Sequence, residues 1–90
     1  MPISAHEQNL VQVEIDMASE TERKVMRERA EEILADANFV SGSRLLSHEE
    51  SHAAEIAIEY LTRLDAIRLG KGWWFRTKRR MQLVQMYLGN

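Results

Sequence analysis

An all-α domain of three to four helices, organised around one long central helix over residues 47–69, is the fold class this 90-residue chain predicts. Three observations point to it. Apolar residues from Ala53 to Ile67 keep an unbroken helical period, with Ile56, Ala57, Tyr60, Leu61 and Leu64 on the same face. Three serines, Ser4, Ser19 and Ser47, each stand three residues before a glutamate, the pattern in which side chain and backbone cap a helix start reciprocally. The charged fraction of 29% is ordinary for a globular protein, and one proline and four glycines are few, a composition that favours an all-helical chain.

The first helix is expected to start at Ser4 with Glu7, after fraying residues Met1 to Ile3. Its body admits two periods. Leu10, Val13 and Met17 make a helical stripe, with Val11, Ile15 and Ala18 beside it. Val11, Val13, Ile15 and Met17 also alternate with polar residues as a strand would. A lone strand leaves its backbone groups unpaired unless a second subunit supplies the ladder. Helix is therefore the reading, and an intermolecular strand the alternative.

A second helix begins at Ser19 with Glu22. Met26, Ala30, Ile33, Leu34 and Ala37 define its apolar face, and it is expected to end near Asn38. Glu20 with Lys24, and Arg27 with Glu31, sit four apart and read as a solvated face. Phe39 to Leu46 is the expected linker, turning at Ser41-Gly42-Ser43. Its four large apolar residues are expected to close over the end of the core.

The central helix starts with Ser47 and Glu50 and ends before Gly70, where a left-handed cap needs no Cβ. His48, His52, Glu55, Glu59 and Arg63 fall opposite its apolar stripe. After Gly70-Lys71-Gly72 comes a final helix. Trp74, Met81, Val84 and Leu88 lie on one side of it. Arg76, Arg79 and Arg80 lie on another, together with Leu83 and Tyr87. A helix apolar all round is normally buried, so a second subunit or a partner is expected, with a homodimer the reading.

The net charge of −2 conceals an asymmetry. Residues 1–60 hold thirteen acids against five bases, and residues 61–90 one acid against seven bases. Such polarity concerns contacts rather than fold. No cysteine is present, so neither disulfide nor thiolate metal site is available. The start MPISAHEQ lacks the basic and apolar regions of a signal peptide, and no stretch reaches the roughly 18 apolar residues of a membrane span. A cytoplasmic protein is expected, without membrane contact.

His48-Glu49-Glu50-Ser51-His52 resembles the zincin motif over five residues. In that family two histidines one turn apart bind zinc and the glutamate acts on bound water. Here the motif fills the exposed first turn, and Glu50 is claimed by the cap. A solvated helix start is the preferred reading, and a surface site from His48, His52 and Glu55 the lesser one. Glu49 and His52 also make one E-x-x-H unit, where a di-iron bundle needs two. No metal or cofactor is expected. With no glycine-rich phosphate loop and no nucleophile elbow, an enzyme is not expected either.

The candidate contact surface is Lys71, Trp73, Trp74, Phe75, Arg76, Lys78, Arg79 and Arg80. Arginine forks match carboxylates and phosphates, and aromatic rings offer anchoring area. The tryptophans are either core with a basic rim, or a surface for an acidic protein or second copy, or a track for nucleic-acid phosphates with stacking on a base. A non-catalytic regulatory or adaptor protein binding a macromolecule through this segment is the expectation, and nucleic-acid binding through it the alternative. Arg76, Arg79 and Arg80 would orient the partner, with Trp73 or Phe75 as anchor. Small proteins made by phages to block a host machine share this size and polarity, an association only.

Overall fold

A computed structural model describes residues 3–89. Four helices follow one another: α1 (Ala5–Met17), α2 (Glu20–Ser41), α3 (His48–Leu69) and α4 (Trp73–Leu88). Met1, Pro2 and Asn90 lie outside the described residues. Ile3, expected to fray, is instead buried at 8% exposure. Residues 10–17 are helical, so the intermolecular strand does not form.

The three capping boxes form as their spacing predicts. At each, the serine hydroxyl accepts the amide of the glutamate three residues on, and that glutamate accepts the serine amide. At α3 the cap is reinforced, because Arg44 donates two hydrogen bonds of 2.8 Å to Glu50. The guanidinium, followed by the Ser47 amide, holds the Glu50 carboxyl at about 2, well below its ordinary 4.5. Glu7 and Glu22 are lowered too, each chiefly by its own capping amide. A carboxyl depressed in the folded state stabilises above its unfolded value and loses that contribution as pH falls through its folded value. Stability is therefore expected to decline from about pH 4.5 toward pH 2. Urea melts of Glu50→Gln across that window should show a shallower decline than wild type.

Helix α2 continues to Ser41, one turn beyond the expected stop at Asn38. Phe39 and Val40 thereby belong to the helix, and the linker shrinks to residues 42–47. Of the four apolar residues expected to close over the core, Leu46 packs against it. Phe39 (81% exposed) and Leu45 (91%) face solvent. Helix α3 ends as predicted. The Gly70 amide bonds the Ile67 carbonyl and the Lys71 amide bonds the Ala66 carbonyl. Gly70 takes φ 65°. This pair of bonds closes a helix when one residue turns left-handed, which glycine does without a Cβ clash.

Helix α3 is the axis, with α1, α2 and α4 packed against it. The main core joins Ala30, Leu34 and Ala37 of α2 to Ala54, Ala57, Ile58 and Leu61 of α3 and to Leu83 of α4. A smaller cluster joins Val11 and Ile15 of α1 to Leu64. The buried face of α3 is rotated from the stripe its hydropathy predicts. Ala53 and Ile67 are exposed and Ile56 and Tyr60 half-buried, whereas Glu59, Thr62, Arg63 and Asp65 are buried. Three neighbours surround the second half of this helix, so even its polar side meets protein rather than water.

Two carboxylates on α3 organise that arrangement. Asp65 (2% exposed) is paired by Arg27 from α2, by Arg79 from α4 at 3.0 Å and by Arg68 at 3.4 Å. Glu59 (1% exposed) is paired by Arg63 at 2.9 Å and by Arg80 from α4 at 2.8 Å. Arg63 also donates to Gln12 of α1 at 2.7 Å. A buried carboxylate is tolerated only when ion pairs and hydrogen bonds replace its water. Each of the three outer helices is thus tied to the axis through a guanidinium or an amide.

Candidate functional site

The orientation of α4 sets the candidate site. The loop Gly70-Lys71-Gly72 reverses the chain, and α4 starts on Gly72 with no side-chain cap. Its basic side turns inward. Arg79 and Arg80 reach Asp65 and Glu59, Leu83 is buried, and Tyr87 packs against the core. Arg76 is half-buried on the same side. The other side therefore faces solvent, and it is the apolar one. Trp73 is 61% exposed, Trp74 76%, Met81 68% and Val84 41%.

Trp74, Thr77, Met81, Val84 and Leu88 alternate steps of three and four, and the stretch from Trp74 to Val84 is open, Thr77 being half-buried and Leu88 packed against the core. That spacing gives the narrow seam by which one helix packs along another. The two indoles meet edge to face, with centroids 5.0 Å apart and planes at 73°. Such a pair prefers this geometry and offers a rigid apolar surface at low entropic cost. Thr77 folds back, its hydroxyl donating to the Trp73 carbonyl at 3.1 Å. Around the seam, Lys71, Arg76 and Lys78 make no side-chain hydrogen bond or ion pair among the described residues.

The eight residues singled out from sequence thus divide. Trp73, Trp74, Lys71 and Lys78 are exposed together, with Arg76 beside them. Phe75 is half-buried. Arg79 and Arg80 keep about a third of their side chains in solvent while pairing with the buried acids. Sequence reasoning put arginines and tryptophans on one outward surface; the structure separates them by giving the arginines internal partners. It also adds Met81 and Val84 to the exposed face. Their spacing from Trp74 was visible as a stripe, but nothing local showed which side of α4 the core would take.

The His48–His52 segment forms the first turn of α3, as the cap implies. His52 Nε2 lies 2.7 Å from Glu7 Oε2, so this histidine joins α3 to α1. Among the described residues no group of three histidines, aspartates or glutamates is placed to hold a metal. No helix of the described residues is long and apolar enough to cross a membrane.

A second feature lies across the α2–α3 seam. A hollow of about 480 Å³ is lined by Val25, Met26, Ile33, Ile56 and Tyr60, with Glu14, Glu22 and Arg29 at its rim. A smaller one of about 170 Å³ shares Ile33 and continues to Asp36, Val40 and Ala53. Tyr60 donates to Glu14 at the edge. Burial, then that carboxylate, pushes the Tyr60 phenol up to about 12, so it stays a donor at neutral pH. Compared with known proteins, this chain matches no protein-family model, no curated protein and no solved structure.

Proposed function

We propose that this protein is a non-catalytic regulatory or adaptor protein that binds another macromolecule through the outward face of α4. The observation that carries the reading is the mounting of that helix. Its Arg79 and Arg80 pair with buried acids, while Trp73, Trp74, Met81 and Val84 are left in water. Contiguous exposed aromatic and aliphatic surface rimmed by charge marks a binding site more often than a solvated surface. Trp and Arg dominate the energetics of such contacts. The unpaired bases Lys71, Arg76 and Lys78 favour a partner with an acidic rim. The absence of cysteine fits a reducing, cytoplasmic setting.

A protein partner suits this face better than nucleic acid, because Met81 and Val84 occupy the place where a phosphate-tracking helix carries polar side chains. The exposed indoles beside three free bases still support nucleic acid as a second reading, since successive bases stack on such rings. Salt separates the two. Binding to mixed DNA and RNA should weaken by a slope of about −0.7 to −0.9 per phosphate contact in log affinity against log salt. A protein contact dominated by apolar burial should change little.

Trp73→Ala combined with Trp74→Ala is expected to keep the fold, because both rings are mostly solvated. A partner captured by the wild type and re-measured as a purified protein should lose affinity by at least about 30-fold, the size of a hot-spot loss. Calorimetry on wild type and variant reads this. Undiminished affinity in a folded double variant would refute the reading.

A further inference from the structure

We propose that the α2–α3 trough is the receptor for α4 of a second copy, so that the chain self-associates by laying the Trp74–Val84 seam of one molecule along the trough of another. This rests on the binding role assigned to α4 and names its partner. The trough belongs to a different face, built largely from α2.

Shape supports the pairing. The two hollows share Ile33 as a wall residue, and together their linings run along α2 from Val25 to Val40. Fifteen helical steps make this about 22 Å, long enough to seat the exposed part of the seam, about 15 Å from Trp74 to Val84. An amphipathic helix in an apolar groove, anchored at steps of three, four and seven, is a recurrent recognition mode.

Charge selects the occupant. The trough carries Glu14, Glu22 and Asp36 against Arg29, while Glu50 at its far end is neutralised by Arg44. The flanks of the α4 seam carry Lys71 and Lys78, with Arg76 alongside, and no acid. Opposite potentials steer and register a contact. Among the described residues, α1 also exposes an apolar helix face, Leu10, Val13 and Met17. That helix holds Glu7, Glu14 and Asp16 and no base, so its presence in an acidic trough, or against its own copy, sets acid on acid. Pairing α4 with α4 sets base on base. Of these two faces, α4 is the one whose sign complements the trough. The contact joins two different patches, and it closes either as a two-fold pair that makes it twice or as a head-to-tail ring.

Sedimentation equilibrium of the full chain tests this, using Ile33→Arg and Asp36→Lys in the trough and Met81→Glu in the seam. All three positions are exposed, and circular dichroism checks that each variant is folded. Should Ile33→Arg fail to fold, Asp36→Lys carries the trough arm. Wild type is expected to associate, and each variant to dissociate at least about 30-fold more readily, as for loss of a hot spot. Mixing a trough variant with the Met81→Glu variant should restore a 1:1 species, because the mixture holds one intact trough and one intact seam. A wild type that stays monomeric to millimolar concentration overturns the inference. So does self-association that the trough variants leave untouched, or a mixture that fails to recover. If the wild type is monomeric and yet an outside protein binds it with the tryptophan dependence described above, self-docking fails while the role of α4 stands.

Discussion

Replacing Asp65 with alanine is expected to destabilise the fold by about 3–5 kcal/mol, the usual result of deleting one partner of a buried ion pair. The size follows from the surroundings. Asp65 sits on the central helix at 2% exposure and holds Arg27, Arg68 and Arg79. Without it, guanidinium groups from α2 and α4 face one another beside α3 with no counterion. A domain of this size has about 5–15 kcal/mol in all, so the loss is a large share of the total. It should lower Tm by at least about 12 °C. Asp65→Asn keeps the shape and an acceptor and should fall between. Thermal melts by circular dichroism read the series. A Tm within a few degrees of wild type for Asp65→Ala would mean that this carboxylate does not clamp the bundle.

Reversing Arg79 and Arg80 to glutamate should have a still larger effect. Each new carboxylate would lie within reach of a buried acid, Asp65 or Glu59, which now accepts a guanidinium at about 3 Å. Like charges in so dry a place cost several kcal/mol each. The double variant is expected to lose cooperative folding, or at least the docking of α4, seen as lost helical signal and a collapsed urea midpoint. Arg76→Glu with Lys78→Glu makes the same change in net charge at positions without ion pairs and should remain folded. The contrast isolates pairing from overall charge. Equal stability of the two double variants would contradict the assigned geometry.

Much of the fold is legible in local chemistry. Ser4, Ser19 and Ser47 mark three helix starts because a capping box needs only a serine, a glutamate and three residues between. Gly70 marks a stop because one backbone position there turns left-handed. The period of α1 was ambiguous, and tertiary context resolved it: Val11 and Ile15 pack on Leu64 of α3. What was not legible was rotation about the helix axes. Glu59 and Arg63 read as surface because charged residues usually are, and nothing local marked Asp65 as buried. Their burial depends on Arg27, Arg79 and Arg80, which lie 14 to 38 residues away in sequence. For the same reason the basic stripe of α4 read as outward. A stripe of arginines and a stripe of apolar residues on one helix compete for the core. In this protein two buried acids decide for the arginines, and the seam from Trp74 to Val84 is left for something else to cover.

That outcome, basic side in and apolar side out, is the claim on which the function rests. The chain has no cysteine, so single cysteines can report on it without background. Lys78→Cys, Met81→Cys and Leu83→Cys, each in dilute solution where self-association is negligible, should be compared for their rate of thiol alkylation in the native state. Cysteines at 78 and 81 should react about as fast as in urea. The one at 83, which is 2% exposed in wild type, should be slowed to the rate at which the domain opens. Fast labelling at 83 together with protection at 81 would mean that α4 is turned the other way, and the proposed contact face would go with it.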